Sequence, residues 1–278
     1  MTRSLILIVL SISFLGSCNN KKVLENDSKD IVYTSQQEDI INQYVYQCAK
    51  NINYYVNMND YQSCLDKGLK KDSTIAYLWQ QKAMPYFKMR KYEVGMPFLE
   101  KAVEYNRKRY LPYKAFMECI FSKQYKEAIE DFKACIEEFG DSYEMDHTYS
   151  FYIGLSYLQL NQFDKAKEYF EIAEKKYLVD FGEVHHLLWF YKGIVYQELR
   201  AYDKAISAYD QALAVYPKFS DALFYKAFCT YKLENTYTED IALLFDNAQE
   251  YYNEGFTINE DNASYEIYPY QIRPWFFK

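Results

Sequence analysis

Two stretches of this 278-residue chain share one pattern of aromatic and small residues, and this shared pattern restricts the fold more than any other feature. Counted from Ser150 and from Trp189, a glycine stands at the fifth position, a tyrosine at the eighth and an aromatic–aspartate pair at the fourteenth. A short repeated unit cannot bury its apolar face alone, so neighbouring units must stack to make a core. The chain is therefore predicted to be an array of similar units.

The pattern resembles the tetratricopeptide repeat, a unit of two helices and a turn that spans 34 residues. Residues 186–219 match most closely, including the closing Pro217, although Lys192 stands where that family has leucine. The resemblance implies an all-α fold, a right-handed superhelical solenoid of about six TPR-like helix–turn–helix repeats over residues 39–252. The aromatic residues that mark the second helices lie 33, 38 and 39 positions apart: Tyr92, Tyr125, Phe163 and Tyr202.

The same resemblance implies where a partner would bind. In tetratricopeptide arrays the first helices line the concave face, and ligand contacts come from fixed positions in those helices. On this chain the positions are mostly apolar or aromatic, which predicts an aromatic groove for a protein or peptide segment. The alternative is that these side chains are core. The candidate partner-binding residues are Tyr77, Met84, Phe87, Tyr113, Met117, Phe151, Leu155, Phe190, Ile194, Phe224, Phe228 and Tyr231.

The first residues indicate where the protein is sent. An apolar run from Ser4 to Phe14 is too short to span a bilayer and is typical of a signal-peptide core. The following Leu15-Gly16-Ser17-Cys18 resembles a bacterial lipoprotein signal, which implies cleavage before Cys18 and acylation of that cysteine. Residues 1–17 are then the signal peptide, and the polar residues 18–38 are a flexible tether.

Residue 19 bears on the destination of such a lipoprotein. It is asparagine, whereas an aspartate at this position favours retention in the inner membrane of lipoproteins generally. No acidic cluster of the kind that directs some lipoproteins to the cell surface occurs at residues 19–24. We therefore expect a lipid anchor in the envelope of a Gram-negative bacterium, at the periplasmic face of the outer membrane.

Composition and motifs argue against several classes of function. With 32 Lys and Arg against 39 Asp and Glu, the net charge of −7 disfavours a nucleic-acid binder, which needs a basic face. The sequence has no zinc-protease motif, phosphate-binding glycine-rich loop or nucleophile elbow. His185 and His186 are adjacent and make a poor metal pair. We therefore predict a protein that is not an enzyme and uses no cofactor and no metal, with its five remaining cysteines as small core residues.

The C-terminal segment, residues 253–278, is unusually aromatic, and Pro269 and Pro274 prevent it from forming one regular helix. Exposing this many aromatic side chains to water is unfavourable in free energy, and we therefore expect this tail to pack on the array. Two destinations are open. In the first, the tail caps the last repeat, as the ends of solenoids generally require; in the second, it runs back along the concave groove and occupies the partner site.

Together these features predict a non-catalytic protein–protein interaction scaffold or adaptor, anchored to the cell envelope and binding a partner segment in an aromatic groove. The alternative is an immunity or inhibitor lipoprotein that binds a single toxin or enzyme. The partner is a protein or peptide in both cases. The membrane is contacted only through the lipid, and the sequence leaves the oligomeric state open.

We predict that the Cys18→Ser variant, expressed in the native host, is not acylated, because its side chain lacks the sulfur that receives the lipid. Metabolic labelling with a fatty acid and mass spectrometry of the N-terminal peptide measure this directly. The Cys229→Ser variant should keep the label. A wild-type protein with no acyl mass on Cys18 would refute the membrane anchor.

Overall fold

The computed structural model describes residues 32–277, and from Tyr33 onward the chain forms one compact unit. The signal peptide, Cys18 and most of the predicted tether lie outside the described residues. Twelve α-helices are present in the described part: α1 Ser35–Ile41, α2 Met58–Leu69, α3 Ala76–Lys88, α4 Tyr92–Tyr105, α5 Arg107–Phe116, α6 Tyr125–Phe139, α7 Tyr149–Gln159, α8 Phe163–Phe181, α9 His186–Glu198, α10 Tyr202–Val215, α11 Ser220–Glu234 and α12 Glu239–Asn253.

The helices form six consecutive pairs. In the last five, an odd-numbered first helix packs on the even-numbered second helix that follows it, and in the first pair α2 packs on the π-helical turn Asn42–Tyr46 that extends α1. Each second helix also packs on the first helix of the next pair. A second π-helical turn, Met117–Ser122, extends α5. This arrangement confirms the predicted all-α solenoid of about six TPR-like repeats. A two-stranded antiparallel hairpin, β1 Tyr143–Glu144 and β2 His147–Thr148, was not predicted and lies between α6 and α7.

The array begins slightly earlier than the sequence indicates. Helix α1 starts at Ser35, so the predicted tether of residues 18–38 is too long by four residues. Thr34 explains the early start, because its side chain accepts a hydrogen bond from Gln37 N and the Gln37 side chain accepts one from Thr34 N. This reciprocal pair satisfies two backbone donors that a helix N-terminus otherwise leaves without partners.

Glycine in the first helices allows the paired helices to approach closely. A Cβ atom added at Gly154 of α7 would lie 2.7 Å from Cδ1 of Phe170 in α8, which is closer than carbon atoms pack. Gly193 of α9 faces Tyr209 of α10 in the same way. The repeated glycine of the sequence pattern has no side chain, and an aromatic ring of the second helix fills the space that a side chain would occupy.

The expectation that the five remaining cysteines are small core residues did not include a bond between two of them. Cys48 and Cys64 form a disulfide with their Cα atoms 5.8 Å apart, a separation that such a bond requires. It joins the turn after the first π-helical segment to α2 and so closes the irregular first repeat. Cys119, Cys135 and Cys229 are free and buried, as expected.

The first helices are buried on more sides than their partner helices can cover. In α7 every residue from Tyr149 to Leu158 is buried, whereas α8 buries only four of its 19 residues. A helix that is apolar all round must be covered all round. Helix α7 packs on α6 as well as on α8, and its C-terminal end lies beside the C-terminal tail, which is described below. Within residues 32–277 no helix is both long and apolar enough to cross a bilayer.

We predict that Gly154→Leu lowers the free energy of unfolding by about 1–3 kcal/mol, because the new side chain overlaps the ring of Phe170. Urea denaturation followed by circular dichroism measures the loss. The control is Ala214→Leu on the exposed side of α10, which should change stability by less than about 0.5 kcal/mol. Equal stability of both variants would show that the glycine is not a packing requirement.

Candidate functional site

The inner groove is the side of the first helices α3, α5, α7, α9 and α11 that the second helices leave uncovered. The C-terminal tail, residues 256–277, lies in this groove. It consists of an outgoing limb, residues 256–264, and a return limb, residues 265–277.

The outgoing limb passes the N-terminal ends of three first helices in reverse order. Ser220 N at the start of α11 donates to the carbonyl of Phe256 at 2.9 Å. The next residues of the tail contact the two preceding repeats. His186 at the start of α9 contacts Asn259 at 3.2 Å, and His147 before α7 contacts Glu260 at 3.1 Å. Successive tail residues thus meet successive repeats, moving toward the N-terminus of the array.

The tail turns round at the second and third repeats, where basic side chains hold it. Arg90 donates to the carbonyl of Tyr265 at 3.1 Å and pairs with the Glu266 carboxylate at 3.3 Å. Lys123 donates to the carbonyl of Ile267 at 2.9 Å. Arg90 follows the end of α3 by two residues, and Lys123 directly follows the π-helical turn that extends α5. Both residues have positive φ and contact the tail from the C-terminal ends of these first helices.

The return limb runs back to the last repeat. Tyr191 donates to the carbonyl of Pro269 at 3.1 Å, and the ring of Tyr268 is buried. Phe276 and Phe277 finish against Phe224 of α11, with ring centroids 5.4 and 5.6 Å from it. The tail is therefore not confined to the end of the last repeat. Of the two predicted destinations, the structure shows the path along the groove.

Asp221 joins the two limbs to the array. It is fully buried in α11, where it accepts hydrogen bonds from the Thr257 hydroxyl at 2.7 Å and the Ile272 backbone N–H at 2.8 Å. Burial raises the pKa of this carboxyl to about 6, and these hydrogen bonds oppose the rise. One carboxyl group thus contacts the outgoing and the return limb together.

The structure changes the interpretation of most candidate partner-binding residues. The expectation of an open aromatic groove is wrong for eight of them, because their side chains are buried in the array. Phe151 has no exposed surface and stacks on His147 with ring centroids 4.0 Å apart. For these eight the core alternative applies: Tyr77, Phe87, Tyr113, Met117, Phe151, Leu155, Phe190 and Ile194.

The other four candidates keep some accessible surface. Met84, Phe224 and Phe228 are half-buried, and Tyr231 is 38% exposed. Phe224 contacts the end of the tail, while Phe228 and Tyr231 lie further along α11. Partner binding by these residues stays a prediction.

Sequence reasoning missed the polar residues that hold the tail, namely Arg90, Lys123, Tyr191 and Asp221. No motif marks them, because each acts through a segment that is distant in sequence. The aromatic tail itself was the available signal, since it had to be buried somewhere on the array. An open cleft of about 430 Å³ remains beside the return limb, lined partly by Tyr225, Tyr270, Arg273 and the exposed Trp275.

The structure also brings together side chains that can hold a metal ion, although the sequence predicted none. One ligand atom each from His147, His185 and Glu260 lies within 4.8 Å of the other two. The adjacent pair of His185 and His186 is not the relevant one, because His186 faces Asn259 instead. Burial lowers the pKa of His185 to about 3 and that of His186 to about 4.

We predict a pH-dependent stability difference between the wild type and Asp221→Asn. Folded Asp221 keeps its proton up to about pH 6, whereas the unfolded chain loses it near the ordinary pKa of 3.8. The stabilising contribution is therefore complete below the unfolded pKa and is lost as the pH rises through the folded pKa. The difference in the free energy of unfolding, wild type minus variant, should fall between about pH 4 and pH 7.

Urea denaturation over this pH range measures that difference. Asp203→Asn, at an exposed position of α10, is the control and should show no such decline. A pH-independent difference for Asp221→Asn would contradict the burial of an ionisable carboxyl group at this position.

Comparisons with known proteins agree with this architecture. The tetratricopeptide repeat family matches residues 151–217 and 190–252, and a second description of the repeat matches residues 76–109. No curated protein matches in sequence.

One similar solved structure is PilW, which is described as a widely conserved type IV pilus biogenesis factor. Its TM-score is 0.57 at 11% sequence identity, and the match covers 80% of this chain and 93% of PilW. Another is a tetratricopeptide repeat protein from Parabacteroides merdae, with a TM-score of 0.56, 13% identity and coverage of 80% of each chain. At these identities the likeness concerns the fold alone. The repeat matches and the six stacked helix pairs together establish that this chain is a tetratricopeptide repeat protein.

Proposed function

We propose that the protein is a lipid-anchored, non-catalytic scaffold of the bacterial envelope, whose inner groove binds a non-helical segment of a partner protein. The tail is an internal ligand that occupies the groove until a partner segment replaces it. Interaction with proteins or peptides is the common role of the repeat. The lipid anchor and the use of this groove are the additional steps that we propose.

The observation that carries the proposal is the way in which the array holds the tail. Side chains of the array bind main-chain groups of the return limb at four places over eight residues. Every polypeptide has these backbone groups, so the groove can hold a segment from another protein by the same contacts. The bound groups are the carbonyls of Tyr265, Ile267 and Pro269 and the N–H of Ile272.

Side chains of the tail indicate which segment would fit. Tyr268 is buried, and Glu266 pairs with Arg90 and accepts a hydrogen bond from Tyr92. A competing segment therefore needs an aromatic residue two positions after an acidic one, in a stretch that is not helical. This sequence requirement gives the groove selectivity beyond its contacts with the backbone.

Two observations support the location in the envelope. The lipoprotein-like signal precedes the array, and the described residues contain a disulfide between Cys48 and Cys64. Disulfides persist in oxidising compartments such as the periplasm and are rare in the cytosol. The alternative of an immunity or inhibitor protein is not favoured by any feature of residues 32–277.

The test uses a truncated chain that lacks residues 263–278 and a fluorescent peptide of the same sequence. We expect the peptide to bind the truncated chain and to bind the full-length chain at least about tenfold more weakly, because the tethered tail competes at high effective concentration. Fluorescence anisotropy gives both affinities. Circular dichroism checks that the truncated array is still folded.

Two variant peptides provide a matched comparison. Tyr268→Ala in the peptide removes a buried ring and should weaken binding by at least about tenfold. Trp275→Ala removes a side chain that is 60% exposed and should change the affinity little. Equal affinities of the two variants would mean that the peptide does not use the groove.

The role of a partner is tested in the native host. A photo-crosslinking amino acid at Tyr191, under the return limb, should capture a partner in the truncated protein and less of it in the full-length protein. Added tail peptide should reduce the capture. A truncated array that remains folded but binds neither the peptide nor a host protein at this position would refute the proposed function.

A further inference from the structure

We propose that His147, His185 and Glu260 form a site for a divalent transition-metal ion, with Zn²⁺ as the best fit, that fastens the outgoing limb of the tail to the array. The two histidines belong to the fourth and fifth repeats, and the glutamate belongs to the tail. This inference does not rest on the proposed function, because the three residues are present with or without a partner.

The residue types and their burial fit zinc. Two imidazoles and one carboxylate, with a fourth position left open, make a common zinc coordination set. The side chain of His147 has no exposed surface and that of Glu260 is 7% exposed. Tetrahedral bonds of about 2.0 Å place neighbouring ligand atoms about 3.3 Å apart. The distance of 3.1 Å between His147 Nε2 and Glu260 Oε1 is close to this edge.

Two neighbours contact the ring of His147. Its Nδ1 lies 2.7 Å from the Tyr177 hydroxyl, which also lies 3.3 Å from the carbonyl of Asp146, and its Nε2 lies 3.1 Å from Glu260 Oε1. When Tyr177 donates to the Asp146 carbonyl, Nδ1–H donates to Tyr177, and the lone pair of Nε2 faces the Glu260 carboxylate, as coordination of a metal ion requires. In the other tautomer Tyr177 donates to Nδ1, and Nε2–H donates to Glu260 in place of the ion.

Tyr177 also holds the ring of His147 in the orientation that coordination needs. A metal-bound histidine usually donates its other N–H to a polar group that fixes the ring and its tautomer. The Tyr177 hydroxyl, itself bonded to a backbone carbonyl, is such a group. His147 is therefore oriented toward Glu260 before any ion arrives.

His185 needs a small adjustment to complete the site. Its Nδ1 accepts a long hydrogen bond of 3.3 Å from the backbone N–H of Leu187. A neutral imidazole has a single ring lone pair, so coordination through either nitrogen costs this bond. His185 lies outside the helices, before the first residue of α9, and is only partly buried, so its ring has room to turn toward the other two ligands.

The chain contains three histidines in total, and all three lie in this cluster. His186 is the neighbour outside the ligand set, because its Nε2 contacts the Asn259 side chain at 3.2 Å. Histidine-dependent metal binding by the folded chain can therefore come from one place. His186 also supplies a control of the same residue type in the same surroundings.

Titration calorimetry with zinc sulfate tests the proposal on the chain from residue 19 onward, with any histidine tag removed. We expect one Zn²⁺ per chain, no heat with Mg²⁺, and a rise in melting temperature of about 5 °C at a hundredfold excess of Zn²⁺ over its dissociation constant. Glu260→Gln should weaken Zn²⁺ binding by at least about 100-fold, since it removes a direct ligand.

Matched variants separate coordination from general damage to the tail. Glu266→Gln changes the other buried carboxylate of the tail, which pairs with Arg90, and should keep the wild-type affinity for Zn²⁺. His186→Gln should keep it as well. Tyr177→Phe should weaken binding by about tenfold or more, because the ring of His147 loses its orienting partner.

The wild type alone can overturn the proposal. Absence of Zn²⁺ binding by the folded wild type would mean that a proton, not a metal, lies between His147 and Glu260. If Glu260→Gln fails to fold, Co²⁺ absorption in the wild type replaces it, with visible bands that Zn²⁺ removes as the expected result and no bands as the contrary one. The chain without residues 263–278 keeps all three ligands, so a failure of peptide binding there does not affect this outcome.

Discussion

The structure depends on the burial of the inner groove by the tail. The first helices α7 and α9 are apolar nearly all round, and a helix of this kind is stable in water only if every side is covered. Second helices pack on each from two sides, those of its own and of the preceding repeat, and the tail contacts α9 through Tyr191 and His186. The carboxyl of Asp221 supplies the polar part of this contact, since it receives hydrogen bonds from both limbs in a place where ionisation is costly.

This constraint bears on how a scaffold of this kind can select partners. Under the proposed function, a segment that enters the groove replaces the hydrogen bonds to main-chain groups of the tail. The apparent affinity for the partner is then the intrinsic affinity multiplied by the fraction of time for which the groove is free of the tail. A segment that matches the groove poorly would bind little under this competition.

The fold was predictable from the sequence because its pattern is local. Gly154 and Phe170 lie sixteen residues apart, and the same pair recurs as Gly193 and Tyr209. The tail contacts were not predictable, because Glu260 meets His147 across 113 residues without any repeated spacing to reveal the pairing. The eight buried candidates were misassigned for a related reason: family positions identify which helix face is inner, but not whether another segment covers it.

The contacts of Arg90 with Tyr265 and Glu266 have a consequence for how the chain folds. An ordinary solenoid is nearly one-dimensional, with each repeat stabilised by its immediate neighbours, so that end repeats can fray independently. Here a contact across 175 residues joins the second repeat to the tail that follows the last repeat. The docked tail therefore links repeats that are not neighbours, and we expect the second and the last repeats to unfold together and not one by one.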